Sequence, residues 1–170
     1  MEEISRQEGI TPVELYMKIV RDGGAGVVCH SMKDSDISTF YRQPWVMVSS
    51  DGGIGARHPR GAGTYPRVLG RYVRELHWLT LPEAIRKMTS LPAQRFNMKD
   101  RGLIRAGFKA DLVMFDPRTV VDRATFQEPQ LTSTGVERVF VNGIEVWSGG
   151  KVTGHRPGRA LRALPQNQTH

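Results

Sequence analysis

Up to about residue 97, apolar positions recur at helical spacing, broken by short runs that do not alternate. Thr11-Pro12-Val13-Glu14 has the form of a capping box with proline at the first helical position. The helix it opens carries Leu15, Ile19 and Val20 on one face and ends at Gly23-Gly24. Gly26-Val27-Val28-Cys29-His30 is short, β-branched and bounded by glycine, which predicts a buried strand. From about Asp34 to Tyr41 the rhythm is helical again, with Ile37, Phe40 and Tyr41 together, and it must stop by Gln43 because Pro44 disfavours a helical residue before it. Trp45-Val46-Met47-Val48 follows without polar alternation, the mark of a strand covered on both faces. The resulting α, β, α, β order predicts a crossover unit with parallel strands.

That apolar run ends in Ser49-Ser50-Asp51-Gly52-Gly53. In barrels and open α/β sheets the active site lies beyond the carboxyl ends of the strands, so Asp51 stands where chemistry is expected; a plain Asp-Gly turn is the other reading. Gly52 to Pro66, rich in glycine, proline and arginine, predicts a long functional loop. Val68, Leu69, Tyr72 and Val73 mark the next helix. Thr80-Leu81-Pro82-Glu83 is a second capping box, opening a helix through Ala84, Ile85 and Met88. Leu91-Pro92 breaks that helix, leaving room for one short turn up to Phe96.

Beyond Asn97 the runs shorten to strand length: Leu103-Ile104, Asp111 to Phe115, Glu137 to Val141 and Ile144 to Trp147. Asn142-Gly143 between the last two is a strong hairpin signal, because a type I′ turn needs positive φ at both positions. A small antiparallel sheet is expected, then a basic tail over residues 154–170.

Composition narrows the function classes. The 170 residues are 39% hydrophobic and 24% charged, as in soluble globular proteins, and no apolar run approaches the roughly 18 residues of a membrane span. The opening Met-Glu-Glu-Ile-Ser-Arg-Gln-Glu is too polar for a signal peptide, which points to a cytoplasmic address. The net charge of +7 is scattered over Arg57, Arg60, Arg67, Arg71, Arg74 and the tail, without a basic run interleaved with aromatics, so no nucleic-acid partner is expected. One cysteine, Cys29, excludes an internal disulfide and a multi-cysteine metal cluster.

The histidines His30, His58, His77, His155 and His170 are unpaired at any spacing that sets two imidazoles on one face. The chain alone is therefore not expected to hold stoichiometric zinc. Cys29 reads as a small buried hydrophobe, and His30, at a strand end, as a residue that could line a site. Met32 by itself is packing and Arg60 by itself a surface charge. There is no Gly-x-Ser-x-Gly elbow, phosphate-binding loop or dinucleotide fingerprint.

Several blocks nevertheless resemble a known family. Ser50-Asp51-Gly52, His58-Pro59-Arg60, Gly63 to Val73 and Glu83 to Thr89 are similar to the closing part of the N-acyl-D-amino-acid deacylases (D-aminoacylases) of the amidohydrolase superfamily. Ala110 to Asp116 with Val141-Asn142-Gly143 resembles the more general amidohydrolase ending. The resemblance implies an α/β fold, the C-terminal segment of a (β/α)8 barrel followed by strands of a small β-sandwich. Residues 1–98 would be the last β/α units, 99–153 the sandwich strands and 154–170 the tail. It implies that Val46 to Val48 is the last barrel strand. It also implies that Asp51 shuttles a proton from a zinc-activated water to the leaving amine, and that Met32 and Arg60 flank the substrate, an N-acyl-D-amino acid whose carboxylate Arg60 would meet. The family's zinc ligands, cysteine and histidine, sit on earlier strands that this sequence lacks, and a whole barrel takes about 250 residues. The expectation is a deacylase segment that is inactive alone, completed by an N-terminal segment; the alternative is a non-catalytic remnant or interaction module.

Overall fold

The computed structural model describes residues 1–26, 31–53, 55 and 57–162. The predicted strand at Gly26 to His30, with Cys29 and His30, therefore lies almost wholly outside the described residues, as does the end of the tail. Two compact units form, Met1–Lys33 and Asp34–His170.

The first unit is a helical hairpin. Helix α1 (Glu2–Glu8), which the polar opening gave no reason to expect, ends at Gly9 in the left-handed region. Helix α2 (Pro12–Arg21) begins as predicted: the Thr11 hydroxyl accepts from the Glu14 amide and the Glu14 carboxylate accepts from the Thr11 amide. Ser5 and Leu15 are the buried positions, and Lys18 pairs with Glu8 at 2.9 Å.

The second unit starts with α3 (Asp34–Arg42), one residue longer than predicted. The following run then departs from expectation. Val48 is buried, yet residues 46–50 form no strand, and the strands among the described residues are all antiparallel. A strand exists only by pairing, and none of the described strands pairs with this one. Its backbone groups are satisfied from a helix instead: the Val48 amide donates to the Lys87 carbonyl at 3.2 Å.

Nor is 52–66 a loop throughout. Helix α4 (Arg60–Arg67) occupies its second half and runs on into a π-helix (Val68–Glu75). Pro66 sits inside α4, where its missing N–H leaves the Ala62 carbonyl without a helical donor, and the Ser133 hydroxyl donates to that carbonyl at 3.4 Å. The wide turns of the π-helix expose its carbonyls to i+5 donors, as in Leu76 N–H to Arg71 at 2.8 Å. Helix α5 (Leu81–Met88) is capped by Thr80, but Glu83 turns away to Arg86, so the predicted capping box is half made. The last turn becomes helix α6 (Ser90–Arg95).

Val48, Val68, Tyr72, Leu79 and Ala84 form the core of this unit, and Tyr41 and Trp78 pack against it. The Tyr72 and Trp78 rings stack at 4.8 Å and Tyr41 leans on Tyr72 at 5.2 Å. Burial pushes the Tyr41 hydroxyl up to about 12.

The sheet runs in order β1 (Leu112–Phe115), β2 (Val136–Val141), β3 (Ile144–Ser148) and β4 (Lys151–Val152), every pair antiparallel. Asn142 and Gly143 have φ of 49° and 82°, the signs the hairpin turn requires. Leu103-Ile104 is not a strand; Ile104 is 93% exposed and joins no sheet. A strap around the fully buried Val120 lies against the helices, where Gly70 leaves room for the Val120 carbonyl and Arg74 donates to it at 2.7 Å.

Candidate functional site

Asp51 lies three residues past the buried Val48, at the point where the chain leaves the core. It adopts φ of 45°, a left-handed conformation that aspartate tolerates better than most residues. The neighbouring hydroxyls shape the turn: Ser49 Oγ accepts from the Asp51 amide at 3.5 Å and Ser50 Oγ from the Gly52 amide at 3.2 Å. A Cβ on Gly52 would stand 2.6 Å from Gly61 Cα, so only glycine lets this turn close on the start of α4.

That close approach brings two of the expected residues together. Arg60 Nη2 lies 2.9 Å from Asp51 Oδ2. The Asp51 side chain is 80% exposed and that of Arg60 46%, so the pair faces open solvent and further guanidinium donors remain for another anion. Met32, the third expected residue, is 77% exposed and belongs to the first unit. His30 is outside the described residues.

His58 escapes reasoning based on paired histidines. Its Nδ1 accepts from the Arg60 amide at 3.1 Å, and its ring meets Phe126 edge-on at 5.1 Å. It thus fixes the entry to α4 and the start of the Arg60 side chain. The two-residue spacing in His58-Pro59-Arg60 is the only sequence signal for that interaction.

The donors among the described residues do not by themselves fit a metal. Among the described residues no three His, Cys, Asp or Glu side chains converge, Asp51 is engaged by Arg60, and His58 is engaged by a backbone amide. A cavity of about 660 Å³ lies elsewhere, lined by Ala62 and Pro66 of α4 and by Val139, Val146 and Trp147 of the sheet. Asp51, Arg60 and Met32 are not among its lining residues. No helix among the described residues is long and apolar enough to cross a membrane.

The amidohydrolase family model matches residues 2–152. The chain is 46% identical over 140 residues to an N-acyl-D-glutamate deacylase of Alcaligenes xylosoxydans xylosoxydans, covering 81% of this chain and 28% of that protein. It is 41% identical over 155 residues to an N-acyl-D-aspartate deacylase of the same organism, covering 88% and 31%. Among solved structures, an N-acyl-D-glutamate deacylase from Bordetella bronchiseptica, complexed with zinc and a phosphonate mimic of the tetrahedral intermediate, superposes with a TM-score of 0.83. Its identity is 42%, over 95% of this chain and 34% of that one. A D-aminoacylase with a binuclear metal centre gives a TM-score of 0.83 at 38% identity, over 91% and 32%. The chain thus spans about a third of the length of these relatives.

Proposed function

The chain belongs to the amidohydrolase family, and we propose that it supplies the proton-transfer carboxylate and a substrate-binding arginine to the hydrolysis of N-acyl-D-amino acids. The observation that carries this is the solvent-facing Asp51 and Arg60 pair at 2.9 Å. Hydrolysis of an amide needs a base to take a proton from the attacking water and an acid to return one to the leaving nitrogen, and one carboxylate performs both in turn. Arg60 offers a planar two-pronged contact to the carboxylate of the amino-acid part, which would hold the scissile amide beside Asp51. Met32 is a further candidate substrate contact on the family resemblance alone.

Zinc, present in a relative's structure, is the expected cofactor of the reaction, and its ligands lie outside the described residues. The fold is a C-terminal segment of a (β/α)8 barrel over 1–98, sandwich strands over 99–153 and a tail over 154–170. In the assembled enzyme the run Trp45 to Val48 gains strand partners from preceding barrel strands. The setting is cytoplasmic.

A non-catalytic module, folded around its own helical core, is the second reading. One assay separates the two. The chain with zinc should not release the amino acid from N-acetyl-D-glutamate, whereas a mixture with the N-terminal two-thirds of an N-acyl-D-glutamate deacylase should. Asp51→Asn should lower the rate of the mixture by about 100-fold or more. Hydrolysis by the chain alone would overturn the segment reading, and an inert mixture would leave the module.

A further inference from the structure

The segment that delivers Asp51 is held by a buried ammonium. Lys87, on α5, is fully buried. Its Nζ donates to the carbonyl of Gln43 and, at 3.1 Å, to that of Val46, while Glu83 Oε1 lies 3.8 Å away. Its own carbonyl accepts from the Val48 amide at 3.2 Å. The adjacent Arg86 donates to the Pro44 carbonyl at 2.6 Å. One end of one helix therefore holds the backbone from Gln43 to Val48, a stretch outside the sheet, and three residues later the chain presents Asp51.

A lysine is an unusual choice for a fully buried position, because burial disfavours its charged form and lowers its pKa. If the site required only volume, an unbranched apolar side chain would fill it. An ammonium can donate to both carbonyls at once, and the Glu83 carboxylate 3.8 Å away balances its charge. Removing those donors while keeping the volume takes the ammonium from the half-buried Val46 carbonyl and leaves the Gln43 carbonyl only the Val46 amide, so the segment keeps only its Arg86 and Val48 bonds to α5.

We propose that Lys87 is a positioning residue for Asp51: its ammonium, clamped on the Gln43 and Val46 carbonyls, sets the path of the segment that brings the Asp51 carboxylate to Arg60. Its functional meaning rests on the role given to Asp51 above, but its geometry does not.

The test uses the full chain, with backbone amide resonances as the readout. In Lys87→Met, which keeps the volume, the Ser50, Asp51 and Gly52 amides should leave their native positions while those of Val139 and Phe140 in the sheet stay. In Lys87→Ala, added n-propylammonium should return the Asp51 and Gly52 resonances, and neutral 1-propanol should not. A Lys87→Met chain with unmoved Ser50 to Gly52 resonances, or rescue by propanol equal to that by the ammonium, would overturn the proposal. If Lys87→Met does not fold, Lys87→Ala with propylammonium decides. Recovery of Asp51 and Gly52 supports positioning. Recovery of core residues such as Val68 without them, or no recovery at all, assigns Lys87 to general packing. Ammonium rescue of the Asp51 segment combined with an inert mixture in the hydrolysis assay removes the deacylase reading and leaves the positioning role standing.

Discussion

The β2–β3 hairpin and the segment from Gln43 to Gly53 are both short pieces of chain with apolar residues turned at least partly inward, and they are held in opposite ways. The hairpin holds itself. Its strands pair Arg138 with Ser148 and Val141 with Ile144, its turn residues carry the required φ, and the partners are neighbours in sequence. The Gln43–Gly53 segment has no such partner. Lys87 and Arg86, more than forty residues on, take its carbonyls, and Gly61 receives its turn. The self-paired element carries no candidate chemistry, while the one held by α5 carries Asp51. Damage to helix α5 or to the start of α4 should therefore reach the candidate site without touching the sheet.

Alkaline pH should separate the two regions most sharply. Tyr41 has its pKa raised from 10.0 to about 12 by burial against the helical core. The folded state then holds a proton that the unfolded chain releases above pH 10. This contribution to stability is complete below pH 10 and is lost as the pH rises through about 12. Thermal melts between pH 9 and pH 12 should lose stability in the helical region, and Tyr41→Phe should flatten that dependence. Sheet amides that disappear first on raising the pH would show that the two regions are not separable.

Gly52→Ala is the next largest. The new Cβ meets backbone rather than a yielding side chain, so the turn and α4 must part, at about 1–3 kcal/mol. The expected outcome is a lowered melting temperature, a broken Asp51–Arg60 ion pair and unchanged sheet resonances; a crystal structure that keeps the 2.9 Å pair would contradict it.

Gly143→Ala should be the mildest. Nothing stands within 4 Å of the added methyl, so only the left-handed backbone at φ 82° resists it, at about 1 kcal/mol. Denaturant titration should show that loss, with Ser50 to Gly52 undisturbed.

These contrasts also explain what the sequence disclosed. Thr11 to Glu14 and Asn142-Gly143 act on their immediate neighbours, so their residue types suffice to read the helix start and the hairpin. In the run Trp45 to Val48, read as covered on both faces, only Val48 is buried and Trp45 is 69% exposed, and hydrophobicity was silent on which backbone takes the hydrogen bonds. Pro66 argued for a loop because the hydroxyl that relieves its helix, on Ser133, is 67 positions away. Leu103-Ile104 shows the converse, an apolar pair that nothing covers. Of the candidate site, Asp51 was legible by its place after an apolar run and Arg60 through family resemblance. Their pairing was not, since it depends on two glycines meeting across a turn. Lys87 gave no signal, because a lysine on a helix ordinarily reads as solvent-facing.

The aromatic placement gives this molecule its own optical gauge. Trp78 is stacked on Tyr72 at 4.8 Å in the core, while Trp45 stands 69% exposed on the very segment that Lys87 clamps. Indole emission shifts to the red in water and is altered by a stacked ring. The unlabelled protein carries three indoles in different places: Trp78 reports on the helical core, Trp147 on the sheet and Trp45 on the freedom of the segment that leads to Asp51. A quencher dissolved in the buffer would reach Trp45 ahead of the half-buried Trp78 and Trp147, so loosening of that segment can be followed by light in a chain that is still folded.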